Sequence, residues 1–205
     1  MNFPSRLIDT QLVVTASEDE IRDEPMIFWG SFDWAYKNGG PLTRQAIVHM
    51  CKIWPDCDGV IDTRSHMLMP GMYPCIPGWH LDGRPRYPET GQPIFSEDKA
   101  GSAMLCVIGP SALTEFVVED IEISKWSATH TYKSCSEQIA EMRPSTQTVK
   151  SGHLYQFDGH TWHRGMPSEH RCWRWFFRAS INDGRSPVNE LRTQVQVYTT
   201  IDGGW

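Results

Sequence analysis

From about residue 60 onward the apolar residues come in short runs, each cut off by Gly, Pro, Asn or Asp, which is how strands joined by turns appear in a sequence. Strands are expected at 104–108, 116–123, 153–157, 172–181 and 194–201, several of them rich in the β-branched and aromatic residues that suit a pleated surface. One earlier segment has the other period. After Asn38-Gly39-Gly40, Pro41 suits a first helical turn, and Leu42, Ala46, Ile47, Met50, Cys51 and Trp54 follow at steps of three and four. That spacing predicts an amphipathic helix ending before Pro55, with the task of covering a sheet. A helix followed by many antiparallel strands predicts a mainly β fold with flanking helices, built as a jelly-roll or cupin-like barrel.

A chain of 205 residues that is 40% hydrophobic can bury one substantial core. A single domain over 1–205 is therefore expected, with 1–59 as a helical or irregular cover and 60–205 as the barrel. The first twenty residues hold no basic stretch leading into an apolar run, and nowhere do about 18 apolar residues follow one another, so a soluble, cytoplasmic protein without membrane contact is expected. Six cysteines without a CxxC pair read as reduced thiols. A net charge of −6 gives no general attraction to phosphate backbones, which disfavours nucleic acid as a partner. The run at 194–201 could close the sheet or pair with a neighbouring copy. The first is expected, and the oligomeric state is otherwise open.

Chemistry concentrates in two places. In Pro77-Gly78-Trp79-His80-Leu81-Asp82-Gly83, side chains at i and i+2 of an extended segment share a face, so His80 and Asp82 can offer an imidazole nitrogen and a carboxylate oxygen to one ion. A third ligand must come from elsewhere, and Asp158-Gly159-His160-Thr161-Trp162-His163-Arg164-Gly165 offers two histidines. These are three apart, so within a regular strand only one reaches the ion. Asp158-Gly159 is a good turn pair, which puts His160 at the start of the new strand and His163 deeper. His163 is preferred, leaving His160 beside the ligands or on the substrate side. Two histidines and one carboxylate occupy one face of an octahedral metal and leave three positions open, whereas a structural zinc site closes with four protein ligands.

Downstream, Arg171-Cys172-Trp173-Arg174-Trp175-Phe176-Phe177-Arg178 sets arginines in an aromatic strand, where a buried charge requires a partner. Alternation puts Arg174 and Arg178 on one face and Arg171 on the other with Trp173, Trp175 and Phe177. An arginine fork matches a carboxylate through two parallel charge-assisted hydrogen bonds.

His80-Leu81-Asp82, a distant His163 and an arginine in the next strand together resemble the signature of the 2-oxoglutarate/Fe(II)-dependent oxygenase superfamily, over about residues 60–181. The resemblance implies a double-stranded β-helix, Fe(II) on His80, Asp82 and His163, and 2-oxoglutarate as co-substrate with its remote carboxylate on Arg174 first and Arg178 second. It implies oxidation by dioxygen of a small-molecule substrate, with succinate and carbon dioxide as co-products. Relatives that halogenate replace the acidic ligand by a small residue, so Asp82 implies hydroxylation or another oxidation. Two other readings remain: a cupin-like metal barrel with a different reaction, although the HxH…Glu pattern of cupins is absent, and a noncatalytic ligand-binding barrel. Trp79 and Trp162, next to the proposed ligands, and Arg84, just past them, are candidate substrate contacts, as is His160. His49, His66, His130, His153 and His170 have no spacing that singles them out.

Overall fold

A computed structural model describes residues 1–56, 58–95, 101–182 and 184–199. In chain order the elements are β1 (Asn2–Phe3), β2 (Ile8–Val13), α1 (Glu18–Asp23), β3 (Ile27–Phe28), β4 (Gly30–Ser31), α2 (Phe32–Asn38), α3 (Pro41–Cys51), β5 (Val60–Leu68), β6 (Ser102–Ile108), β7 (Thr114–Val117), β8 (Ile121–Glu122), α4 (Thr131–Met142), β9 (Thr146–Thr148), β10 (His153–Asp158), β11 (His163–Gly165), β12 (Cys172–Ile181) and β13 (Glu190–Leu191). The protein is mainly β. Its largest sheet has six antiparallel strands in the order β2-β10-β6-β12-β5-β4, and a smaller one runs β11-β7-β9.

The expected helix at Pro41 forms, capped from outside itself: buried Glu24 accepts the backbone N–H of Leu42 at 3.2 Å and of Thr43 at 2.9 Å. A carboxylate at a helix N-terminus satisfies donors that no residue of the helix can. Leu42, Ala46, Ile47 and Met50 then pack on Ile61, Met104, Cys106, Trp175, Phe177 and Ala179, so the helices cover one face of the large sheet. Cys51, expected on that face, is exposed.

Alternation sends the remaining residues of the same strands the other way. Ala103, Leu105 and Val107 of β6 and Tyr155 and Phe157 of β10 meet Phe116 of β7 and Val149 in a second core between the two sheets. A third core joins Val117, Trp162, Trp79 and Leu81 to Tyr132, Cys135 and Ile139 of α4.

Several expectations change. The expected strand at 116–123 is two, β7 and β8, interrupted at Val118-Glu119-Asp120. The 1–59 segment is more than cover, because β2 pairs with β10 at an edge of the large sheet and β4 pairs with β5 at the other. Within 60–205, α4 was not expected at all. The run at 194–201 does not form a closing strand: Tyr198 makes a single bridge to Tyr73, and residues 200 and 201 lie outside the described residues. Gln194 and Gln196 alternate with Val195 and Val197 without a buried apolar face to hold a register. Among the described residues no helix is long and apolar enough to cross a membrane, and Cys51, Cys75, Cys106, Cys135 and Cys172 are free thiols.

Candidate metal centre and cavity

The segment 79–82 has no regular strand, yet it is extended and paired: His80 N–H donates to the His163 carbonyl at 2.9 Å and His163 N–H to the His80 carbonyl at 3.1 Å. Alternation follows as in a strand. Trp79 and Leu81 enter the core against α4, and His80 and Asp82 face the opposite side. The helix fixes this segment from behind. Trp79 N–H donates to Ser136 Oγ at 2.9 Å, Ser136 Oγ–H to the Trp79 carbonyl at 3.1 Å, and Tyr132 O–H to the Leu81 carbonyl at 2.8 Å.

His80, Asp82 and His163 come together so that one ligand atom from each lies within 4.8 Å of the others. The sequence reading took His160 as the first residue of a strand; instead it lies in the turn, and β11 opens at His163 itself. The two ligand histidines share a local device. His80 Nδ1 lies 3.1 Å from the Gly78 carbonyl, and His163 Nδ1 lies 3.1 Å from the Thr161 carbonyl. A carbonyl only accepts, so each Nδ1 carries a hydrogen and Nε2 is the nitrogen each ring offers to a ligand. Metal-binding histidines are oriented by such a bond on the other ring nitrogen. Burial, reinforced by neighbouring His163, pushes the His80 imidazolium down to about 4, which keeps the ring neutral. Burial works to raise the Asp82 carboxyl, but the Arg178 guanidinium and the two imidazoles outweigh it and hold the group well below the usual carboxylate range. Two imidazoles and an anionic carboxylate form a donor set that could hold a metal ion.

This group opens on a cavity of about 550 Å³, in the range of small-molecule sites. Its lining includes Arg64 and His66 of β5, Cys75, Thr114, Phe157, and Arg174, Phe176 and Arg178 of β12. The predicted alternation in β12 holds, with Arg174 opposite His66 and Arg178 opposite Asp62 across the β5 pairing. Arg171 precedes the strand.

The two arginines have different partners. Arg178 Nη1 donates to Asp82 Oδ2, and its Nη2 lies 3.8 Å from Asp62 Oδ2. Arg174 is 2% exposed, and its Nε donates to the Ala112 carbonyl at 2.7 Å. No carboxylate among the described residues lies within ion-pair distance of it. Burial brings the Arg174 guanidinium down to about 10, still protonated at neutral pH. Beside it, burial and then the charges of Arg174, Arg64 and Arg192 push His66 down to about 2.

None of the four candidate substrate contacts lines the cavity. Trp79 and Trp162 are buried in the core with α4, and Trp79 lies under the Arg164 guanidinium at 4.5 Å. Arg84, expected at the mouth, is 8% exposed: its Nε donates to the Gly159 carbonyl at 2.7 Å and its Nη2 to His160 Nδ1 at 2.7 Å. It ties the loop after Asp82 to the loop before His163, which keeps the ligands together. Residues that the sequence reading passed over do line the cavity: Arg64, His66, Arg192, Gln194, Gln196 and Tyr198. Arg64 and His66 stand two apart in β5, but Thr63 and Ser65 between and beside them are polar too, so no alternation marked the face they share. Arg192 carried no such signal either.

No family model matches the chain, and no curated protein matches it. Among solved structures, the chain is similar to CytC3 at 14% identity and a TM-score of 0.36, over 63% of this chain and 49% of that one.

Proposed function

We propose that this protein is an Fe(II)- and 2-oxoglutarate-dependent oxygenase that hydroxylates a small molecule. The observation that carries the reading is that the His80, Asp82 and His163 donor set and buried Arg174, which has no carboxylate partner among the described residues, line one cavity. The strand order supports a double-stranded β-helix: β10-β6-β12-β5 on one side and β9-β7-β11 on the other, extended by the His80–His163 bridge.

Iron(II) at this group would supply sites for the 2-oxo acid and dioxygen, so that one oxygen atom enters a substrate C–H bond and the other enters succinate as carbon dioxide leaves. The chain's own part is positioning. The Gly78 and Thr161 carbonyls hold both imidazoles by Nδ1, so that Nε2 of each would be the ligand atom for an ion. Asp82 stays ionised beside Arg178. Arg174 takes the remote carboxylate of 2-oxoglutarate, held in place by the Ala112 carbonyl and flanked by Thr114, His66 and Cys75 in the lining. Neutral His66 adds no competing charge there. Phe157, Leu105 and Phe176 exclude water from the space between.

The test is an anaerobic titration of the purified protein with iron(II) and then 2-oxoglutarate, followed by visible absorption. A weak charge-transfer band that needs both additions is expected. It should vanish in His80→Ala, and Arg174→Ala should raise the 2-oxoglutarate requirement by about 30-fold or more, the loss of one buried charge-assisted contact. Absence of both the band and metal binding would sink the oxygenase reading.

A further inference from the structure

An acidic chain has built a basic cavity. Arg64, Arg174, Arg178 and Arg192 line it. Among the described residues two carboxylates pair with these guanidinium groups: Asp82 in the lining, and Asp62, 2% exposed, on β5. Arg86 reaches the lining too but is exposed, with Nη1 bonded to the Gly91 carbonyl at 2.7 Å. Asp62 is shared three ways. It accepts from Arg192 Nη2 at 2.6 Å and Arg64 Nη2 at 2.8 Å, with Arg178 Nη2 at 3.8 Å.

Among the described groups, four guanidinium groups against two carboxylates leave two positive charges in excess. A divalent metal and a dicarboxylate co-substrate cancel each other, so loading the site as proposed above leaves the excess in place. Arginine does not shed its proton to relieve it. Arg174 carries one of these charges, and the other belongs to the Arg64, Arg178 and Arg192 cluster, which shares Asp62 and Asp82.

That cluster has the form of a binding site. The Arg64, Arg174 and Arg178 guanidinium carbons lie 5.6, 5.6 and 5.9 Å from the centre of the Phe176 ring, which holds the cations of β5 and β12 around one aromatic floor. Arg64 Nε is buried without a hydrogen-bond partner. Arg192 arrives from the segment after β13, whose Gln194, Gln196 and Tyr198 line the same cavity, and that segment is fastened by paired backbone bonds of 2.7 and 3.0 Å between Tyr73 and Tyr198. Arg178 links the cluster to the metal group through Asp82. We infer that the substrate to be oxidised is a small organic acid, whose carboxylate docks on Arg64 and Arg192 while a carbon of its chain faces His80, Asp82 and His163. This deepens the oxygenase reading and rests on it.

The test compares carboxylic acids with their primary amides, which match in shape but carry no charge. Binding is read by ligand-observed saturation-transfer NMR with and without iron(II) and 2-oxoglutarate, and turnover by succinate release. Acids should bind and stimulate succinate release over amides, and Arg192→Gln should cut that preference about tenfold, with partial recovery in Arg192→Lys. Acid-selective binding that persists without metal, in a protein that never forms the charge-transfer band, would keep the anion site and remove the oxygenase. Amides equal to acids, phosphate monoesters alone responding, or no acid responding would each overturn the proposal. So would an Arg192→Gln protein whose main defect is a raised 2-oxoglutarate requirement, because the cluster would then be holding the co-substrate.

Discussion

The two faces of β12 are built from the same ten residues and do opposite things. On one face Trp175, Phe177 and Ala179, all at 0% exposure, disappear beneath the helices. On the other, Arg174, Phe176 and Arg178 line the cavity. Burial does not separate them, since Arg174 at 2% is nearly as enclosed as Trp175. The difference is charge. Trp175, Phe177 and Ala179 take contact area from Leu42, Ala46 and Met50 of α3 and the neighbouring strands, even though the Trp175 indole N–H finds no hydrogen-bond partner there. A guanidinium needs charge balance, and the cavity face leaves part of that balance to whatever binds there. A site in this molecule is thus marked by buried charges, not by every buried polar atom left over.

The largest expected effect breaks the covered face. Trp175→Ala removes a fully buried ring from the main core and should cost about 3–5 kcal/mol of stability, read as a shift in the urea midpoint at constant slope. Its residual folded fraction should bind metal normally, because the ring points away from the cavity. A selective loss of metal binding at full stability would show that the two faces are not separable.

A smaller effect is expected on the cavity face. Asp62→Asn takes from Arg64, Arg178 and Arg192 the carboxylate they share. Uncompensated buried charges are costly, but Arg64 and Arg192 keep side-chain exposures of 31% and 18%, so solvent screening reduces the penalty to about 2 kcal/mol. Added acetate should restore stability in this variant more than in the parent protein. Thermal melts with and without acetate decide it, and equal responses would mean that the cluster has no appetite for an anion.

How much of this was readable beforehand depends on how local the information is. Residues 172–181 were legible end to end because Trp173, Trp175, Phe176, Phe177 and Ile181 give the stretch strand character and no Gly or Pro interrupts it. His80 and Asp82 were legible because a two-residue step sets direction even where the segment makes only one bridge. The helix at 131–142 was missed although Tyr132, Cys135 and Ile139 stand three and four apart, because polar Lys, Ser, Glu and Gln dilute the pattern. Helix propensity was a weak prior there, and packing on Trp79 and Leu81 decided the outcome. Trp79 and Trp162 line no cavity for a related reason: immediate neighbours of a ligand in sequence point to the opposite face, and here that face is core, whereas Arg84 is taken up by the Gly159 carbonyl and His160 across the loops. The Asp62–Arg192 contact spans 130 residues and left no trace in either local sequence.

At neutral pH the smallest effect is expected from His66, whose contribution appears only as a slope on the acid side. His66 lies among Arg174, Arg64 and Arg192, and burial first, then those charges, lower it to about 2 from an ordinary value near 6.5. As pH falls below about 6.5 the unfolded chain takes up a proton at this residue while the folded protein does not, so the unfolded state binds more protons and stability falls with falling pH. The loss runs from about pH 6.5 down toward pH 2, at up to about 1.4 kcal/mol per pH unit from this one group. Above pH 6.5 the ring is neutral in both states and contributes no slope. His66→Gln should therefore flatten the acid limb of the stability curve between pH 6 and pH 4 and leave the neutral range parallel to the parent, as read from urea midpoints across that range. An unchanged limb would mean that His66 is protonated in the folded protein. The cavity would then hold one more positive charge, and its need for a bound anion would be greater still.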